Sequence, residues 1–259
     1  MRNPKNKLLF FMSILALTSS LSFTSCKSTK YKNTTIIAKN ITVDESLGSV
    51  KNIEDFVKPY REHVDNDLSK VISYSPVAMD KAKGKWDTTI GNLFAEAVIE
   101  EVNPVFNSRY NKDIDICMLN HGGIRSIISQ GNVTTRTAFE VMPFENSAVI
   151  VELKGEQIQE LAQFMINEER AHPLAGITIT IDANKNIKNI KVNNEDLDLN
   201  KSYFVVTNDY LSLGGDNMKF FTKGVNKYIM DYKLRNVLLS YFEKNNPLPV
   251  ITTKHIIEE

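Results

Sequence analysis

Five short stretches rich in β-branched and other apolar residues, at 114–119, 148–153, 177–181, 187–192 and 203–207, constrain this chain most. Runs of that length and composition suit a pleated, half-buried surface and read as strands of a sheet. Ahead of them, Ile53, Phe56, Val57, Tyr60, Val64, Leu68, Val71 and Ile72 recur at three and four residues. That spacing predicts a long first helix with one face on a core. Residues 71–79 should then be extended, with Pro76 barring a helix. A second helix should start near Asp87 or Thr88, which can cap free N–H groups, turn Ile90, Leu93, Phe94, Ala97 and Val98 inward, and end at Pro104. Further helices are expected over 157–166, on a stripe of Ile158, Leu161, Ala162 and Met165, and over 234–242. Helices and strands neither alternate strictly nor segregate, so the expected class is α+β, a mixed sheet flanked by helices. Residues 183–186 should form a hairpin turn, and Cys117 a buried strand thiol.

The first 25 residues carry Arg2, Lys5 and Lys7 before an apolar run at 8–17 and a small polar stretch, the order of a secretory signal. The run is too short to span a bilayer, which takes about 20 apolar residues. Ser22-Phe23-Thr24-Ser25-Cys26 resembles the lipobox of bacterial lipoproteins, with Phe23 where Leu is commoner. The expectation is a signal peptide at 1–25, lipidation at Cys26, a polar tether at 26–50 and one folded domain at 51–259. That places the domain outside the cytoplasm, lipid-anchored to a bacterial membrane and facing the periplasm. Cys117 is then the only other thiol, so no intramolecular disulfide is expected.

The chain balances 31 Lys and Arg against 31 Asp and Glu over 259 residues. Without the signal's three cations the balance is 28 against 31. Neither figure suits a binder of nucleic acid, which needs a basic excess. Four histidines, His63, His121, His172 and His255, stand alone, and no His-x-His, Asp-x-His or His-Glu-x-x-His spacing occurs. Nor is there a Gly-x-Ser-x-Gly elbow or a phosphate loop.

Three loops at predicted strand ends remain. Asn120-His121-Gly122-Gly123-Ile124-Arg125 pairs two glycines, which permit a tight turn near a ligand, with an amide and a guanidinium fork. Pro143-Phe144 precedes a strand, and Phe144 taken alone belongs in a core. Tyr210 precedes Gly214-Gly215-Asp216, a second glycine pair beside a carboxylate. An aromatic face with a hydroxyl acceptor is what a nucleoside requires. Taken alone, the first loop reads as a plain Gly-Gly turn with a surface arginine, and the third as another loop with a solvated aspartate.

In this order the loops resemble those of the C-terminal domain of the 5'-nucleotidase/UDP-sugar hydrolase family, over residues 53–216 and beyond. Val71-Ile72-Ser73-Tyr74-Ser75 is similar to that domain's opening segment. Ile90-Gly91-Asn92-Leu93 resembles its Leu-Gly-Asn-Leu signature, and the three loops its Asn-x-Gly-Gly-Ile-Arg, Pro-Phe and Gly-Gly-Asp motifs. The resemblance implies that Phe144 and Tyr210 clamp a nucleobase, Asp216 takes ribose hydroxyls, Asn120 contacts the base, and Arg125 holds ribose or phosphate oxygens. Gly122, Gly123, Gly214 and Gly215 shape that site.

Two departures qualify it. Where the family has an arginine upstream of Gly91, this chain has Gly84 between Lys83 and Lys85, either of which would be a point charge without the bidentate fork. The family's metal ligands and catalytic His-Asp pair belong to an N-terminal metallophosphoesterase domain whose motifs are missing from this sequence. The expectation is therefore no cofactor and no catalytic residue here, with divalent metals in a separate metallophosphoesterase subunit that hydrolyses the 5'-phosphate. The alternatives are a stand-alone nucleoside- or nucleotide-binding lipoprotein and a scaffold whose clamp is vestigial.

Overall fold

The computed structural model of the chain describes residues 10–14, 32 and 34–259. Cys26 and most of the expected signal segment lie outside them. The chain divides into two compact units, residues 1–51 and 52–259. In the first, residues 10–14 are helical and Glu45–Leu47 forms a 3-10 turn. Among the described residues no helix is long and apolar enough to cross a membrane.

Helix α1 (Lys51–Leu68) has the expected length, but no residue on it is buried. Ile53, Phe56, Tyr60 and Val64 are each more than half exposed, which overturns the expectation of a face packed on a core. The 3.6-residue period correctly gathers the apolar side chains on one side, where Phe56 and Tyr60 touch at 5.7 Å between ring centres. A period says which residues share a side, not that another element covers it. Val71 and Ile72 leave the helix for strand β1 (Val71–Ser75).

Helix α2 (Thr89–Tyr110) begins as expected, with the Thr88 hydroxyl accepting from the Gly91 N–H at 3.1 Å. Ile90, Leu93, Phe94, Ala97 and Val98 are all buried. It does not stop at Pro104 but runs on to a left-handed cap at Asn111, φ 52°. An internal proline costs a helix about 3 kcal/mol. Here the last turns bury Val102 and Phe106 completely, and Phe106 lies against Tyr110, Phe204 and Tyr228. Burial of large apolar side chains at about 1.5–3 kcal/mol each offsets the lost turn.

Among the described residues, eleven strands form three sheets. β1 pairs antiparallel with β3 (Gly131–Thr134), which leads into the short helix α3 (Thr135–Val141). The central sheet combines β2 (Ile116–Met118), β4 (Ser147–Lys154), β5 (Leu174–Ala175), β9 (Ser202–Asn208) and β10 (Asn226–Lys233), in the order β10-β4-β9-β2-β5. It is mixed, since β2 runs parallel to β9 and the other pairs are antiparallel. A second mixed sheet holds β6 (Ile177–Ile181), β7 (Ile187–Val192), β8 (Glu195–Asp196) and β11 (Ile256–Glu258), with β11 parallel to β6. The five strands expected to share one sheet are thus divided, β2, β4 and β9 from β6 and β7. Gly176 makes the division, turning the chain from β5 into β6 at φ +79°. Residues 183–186 form the expected hairpin between β6 and β7.

Both faces of the central sheet are covered. Cys117, Ile150 and Val206 join α2 and the last helix, α6 (Leu234–Lys244), in one core. Their neighbours Ile116, Val149, Val151 and Val205 join α4 (Gly155–Glu168) in the other. This alternation is why the central strands read as continuous apolar runs. Cys117 is the buried strand thiol expected, and burial pushes its pKa well above the ordinary value.

Candidate ligand-binding site

The order β4-β9-β2 explains how distant loops meet. The C-terminal ends of the parallel strands β9 and β2 and the N-terminal end of antiparallel β4 lie at the same edge. Loops 119–125, 142–146 and 209–218 leave from or arrive at that edge, where open sheets commonly place ligands. They enclose a cavity of about 460 Å³, within the ordinary range for small-molecule sites.

Of the residues singled out in the sequence, Asn120, Gly122, Gly123, Arg125, Phe144, Tyr210 and Asp216 line this cavity. Asn146 and Asn208 complete the lining and had not been singled out. Gly214 and Gly215 do not line it, and their part is steric. Gly214 adopts φ +89°, and a Cβ on Gly215 would stand 2.5 Å from the Tyr210 ring. Only a bare backbone lets the ring lie where it does.

Phe144 is 42% exposed and Tyr210 49%, so the core position expected for an isolated Phe144 is incorrect. Its loop is held from behind by β10 and α6. The Lys233 ammonium donates to the Glu145 carbonyl at 2.6 Å, the Leu234 N–H to the Asn146 carbonyl at 3.0 Å, and Arg235 to the Pro143 carbonyl at 3.3 Å. Arg235 also pairs with the Glu145 carboxylate, holding it below its ordinary pKa. With the backbone tied down, Phe144 faces outward, 5.8 Å from the Arg125 guanidinium carbon.

Tyr210 follows β9 on the one-turn helix α5 (Asp209–Ser212), capped by the Asn208 side chain. Its hydroxyl donates to Asp216 Oδ1 at 2.9 Å and accepts from the Asp216 N–H at 3.2 Å. Asn120 Nδ2 donates to Asp216 Oδ2 at 2.6 Å. The tyrosine therefore does more than supply a ring, since it fixes the carboxylate that it shares with Asn120. Asp209 ties this loop to that of Phe144, accepting from the Asn146 amide at 2.6 Å, the Ser147 N–H at 3.2 Å and the Tyr210 N–H at 2.8 Å. Burial raises the Asp209 carboxyl, but these bonds outweigh it and the pKa stays below the ordinary value.

The lysine that bonds the glycine loop is Lys81. Lys85 binds Glu258 at 2.6 Å and lies over Trp86. Lys81 instead donates to the Ile124 carbonyl at 2.6 Å and the His121 carbonyl at 3.3 Å. Burial, then Arg125 and Arg170, lower its pKa. Nothing in the local spacing of Lys81 marks it.

Divalent metal does not fit this cavity. Its one carboxylate, Asp216, is bonded to two neutral side chains, and no group of three His, Cys, Asp or Glu among the described residues is placed to hold an ion. Two aromatic faces, a carboxylate, amides and an arginine instead suit a flat polar organic ligand with hydroxyl or anionic substituents.

A mixed α/β scaffold with a cavity at its strand ends is a common setting for small-molecule sites. Residues 69–223 match the 5'-nucleotidase, C-terminal domain family, and the chain belongs to that family. An apyrase of Tabanus yao is 23% identical over 231 residues, covering 81% of this chain and 42% of its own length. A 5'-nucleotidase of Vibrio parahaemolyticus is 23% identical over 223 residues, covering 82% and 37%. The solved 5'-nucleotidase precursor of Thermus thermophilus shares the fold, with a TM-score of 0.67 at 21% identity, covering 80% of this chain and 43% of that one. The chain thus spans less than half the length of these relatives.

Proposed function

We propose that this domain binds a nucleotide through its nucleoside, the base between Phe144 and Tyr210, the ribose hydroxyls on Asp216 with Asn120 beside the base, and Arg125 on ribose or phosphate oxygens. The observation that carries the reading is that two half-exposed rings from separate loops line one cavity together with a carboxylate, amides and an arginine. The family supports it, since the relatives include 5'-nucleotidases. In this reading this chain would hold the nucleoside while the 5'-phosphate is presented to a metallophosphoesterase on a separate subunit, which would supply the divalent metals for hydrolysis. The donor set of the cavity, one carboxylate among amides and an arginine, supports placing the metals outside this domain. Calorimetric titration of adenosine and AMP into the full chain should show saturable one-to-one binding. The same preparation with divalent metal should release no phosphate from AMP. Absence of binding overturns the nucleoside site, and sustained metal-dependent phosphate release overturns the division of labour.

The signal-like order of residues 1–25 and Cys26 support export and a lipid anchor at Cys26 on a bacterial membrane, facing the periplasm. Expressed in a bacterium, the full chain should sediment with membranes and the Cys26→Ser form should stay in the supernatant. Equal distribution of the two would reject the anchor.

A further inference from the structure

Residues 171–173 lie beside the start of the glycine loop, and three hydrogen bonds lace them together. Leu119 N–H donates to the Pro173 carbonyl at 2.9 Å, His121 Nδ1 bonds the Ala171 carbonyl at 2.9 Å, and His121 N–H meets His172 Nδ1 at 3.2 Å. The third contact dictates a tautomer. A backbone N–H can only donate, so His172 Nδ1 carries no hydrogen, and the neutral ring bears its hydrogen on Nε2. That Nε2 is buried with no hydrogen-bond partner among the described residues. The side chain thus tolerates an unpaired N–H while its other nitrogen serves the loop.

We propose that His172 is a positioning residue for the ligand cavity, its neutral imidazole holding the His121 peptide so that Asn120 and Arg125 keep their places. This rests on the nucleoside reading above. The backbone of His121 is held at both of its polar groups, its N–H by His172 and its carbonyl by Lys81 at 3.3 Å. Asn120, which bonds Asp216, precedes it, and the glycine pair that carries the chain to Arg125 follows. His172 itself does not line the cavity. Protonation would put a hydrogen on Nδ1 facing the His121 N–H, donor against donor, and release the loop. Burial first, then His121, with a smaller contribution from Arg170, lowers the His172 pKa from 6.5 to about 4, against opposing help from the Leu119 backbone and Asp216. Phe164 covers the ring at 5.6 Å. The sign follows: the unfolded chain takes up this proton as pH falls through about 6.5, the folded chain only near 4, so stability declines between those values while the anchor persists.

The test compares His172→Leu, which fills the space without an acceptor, with His172→Asn, whose Oδ1 can replace Nδ1 and does not titrate. Adenosine is titrated at about pH 7 and about pH 4, and exchange of the His121 amide hydrogen is followed by NMR without ligand. The Leu form should bind adenosine about tenfold more weakly at neutral pH, the loss of roughly one hydrogen bond, and lose His121 amide protection. The Asn form should bind within about twofold of the unaltered protein at neutral pH and lose less affinity in acid, the residual acid loss belonging to Asp216 and other groups. Unchanged affinity in a folded Leu form overturns the inference. If the Leu form does not fold, an acid profile of the Asn form identical to that of the unaltered protein overturns it instead. Failure of the unaltered chain to bind adenosine refutes the nucleoside reading, whereas His121 exchange indifferent to the Leu change refutes the positioning role alone.

Discussion

Phe144→Ala and Tyr210→Ala together are expected to abolish measurable adenosine binding, with each single change weakening it by roughly tenfold or more. The figure follows from stacking, since a base resting on an aromatic side chain gains about 1–3 kcal/mol per ring. The folded state should be nearly indifferent, because both rings are more than two-fifths exposed and surface truncations of this sort usually change stability by under about 0.5 kcal/mol. Calorimetry beside thermal melting separates the effects. Tyr210→Phe sharpens the test, because it keeps the face but removes the hydroxyl that both donates to and accepts from Asp216. It should lose less affinity than Tyr210→Ala. If the double variant binds adenosine as tightly as the unaltered chain, the rings form no clamp.

The second large effect is on stability and lies away from the cavity. Gly176→Ala is expected to destabilise the fold by roughly 3–5 kcal/mol, at the upper end of single substitutions. Two causes add. The residue sits at φ +79°, where an L side chain is strained, and its Cβ would stand 2.0 Å from the Asp115 carbonyl oxygen and 3.1 Å from the Ile116 Cα. Those atoms cannot step aside. Asp115 is pinned to β9 through its N–H on the Phe204 carbonyl and its carboxylate on the Phe204 N–H, both at 2.8 Å, and Ile116 opens β2. In a unit of this size the loss corresponds to a fall in melting temperature of about 10 °C. A calorimetric scan within about 2 °C of the unaltered protein would refute this account of how β5 passes into β6.

Much of this was legible in the chain. The runs at 148–153, 177–181, 187–192 and 203–207 are strands because β-branched residues occupy them, and the three cavity loops announced themselves through paired glycines, a proline and aromatics. Other elements carry no comparable local signal. Strand β10 (Asn226–Lys233) opens on two polar residues, has only Met230 buried, and carries Asp231 at φ 53° inside a break in its pairing with β4. Strand β3 has Val133 as its only buried residue, and β5 and β8 are two residues each. Pro104 misled because a local rule about helix ends was overridden by the burial of Phe106. Among the cavity residues, Asn146 and Asn208 were missed because an asparagine at a strand end is usually a turn or cap residue, which Asn208 also is.

Local chemistry by itself determined the longer helices and the strands with β-branched apolar runs, that residues 120–125, 143–144 and 210–216 are unusual loops, and that Cys117 is interior. Those are short-range properties, written in propensity, period and side-chain type. Only the tertiary structure decided that the strands divide between two sheets, that the apolar side of α1 is left uncovered, that Phe144 faces out, and that Lys81 and His172 grip the glycine loop. Each depends on pairing between residues distant along the chain. Its free energy lies in contacts that exist only after the backbone has closed, and that no single segment encodes.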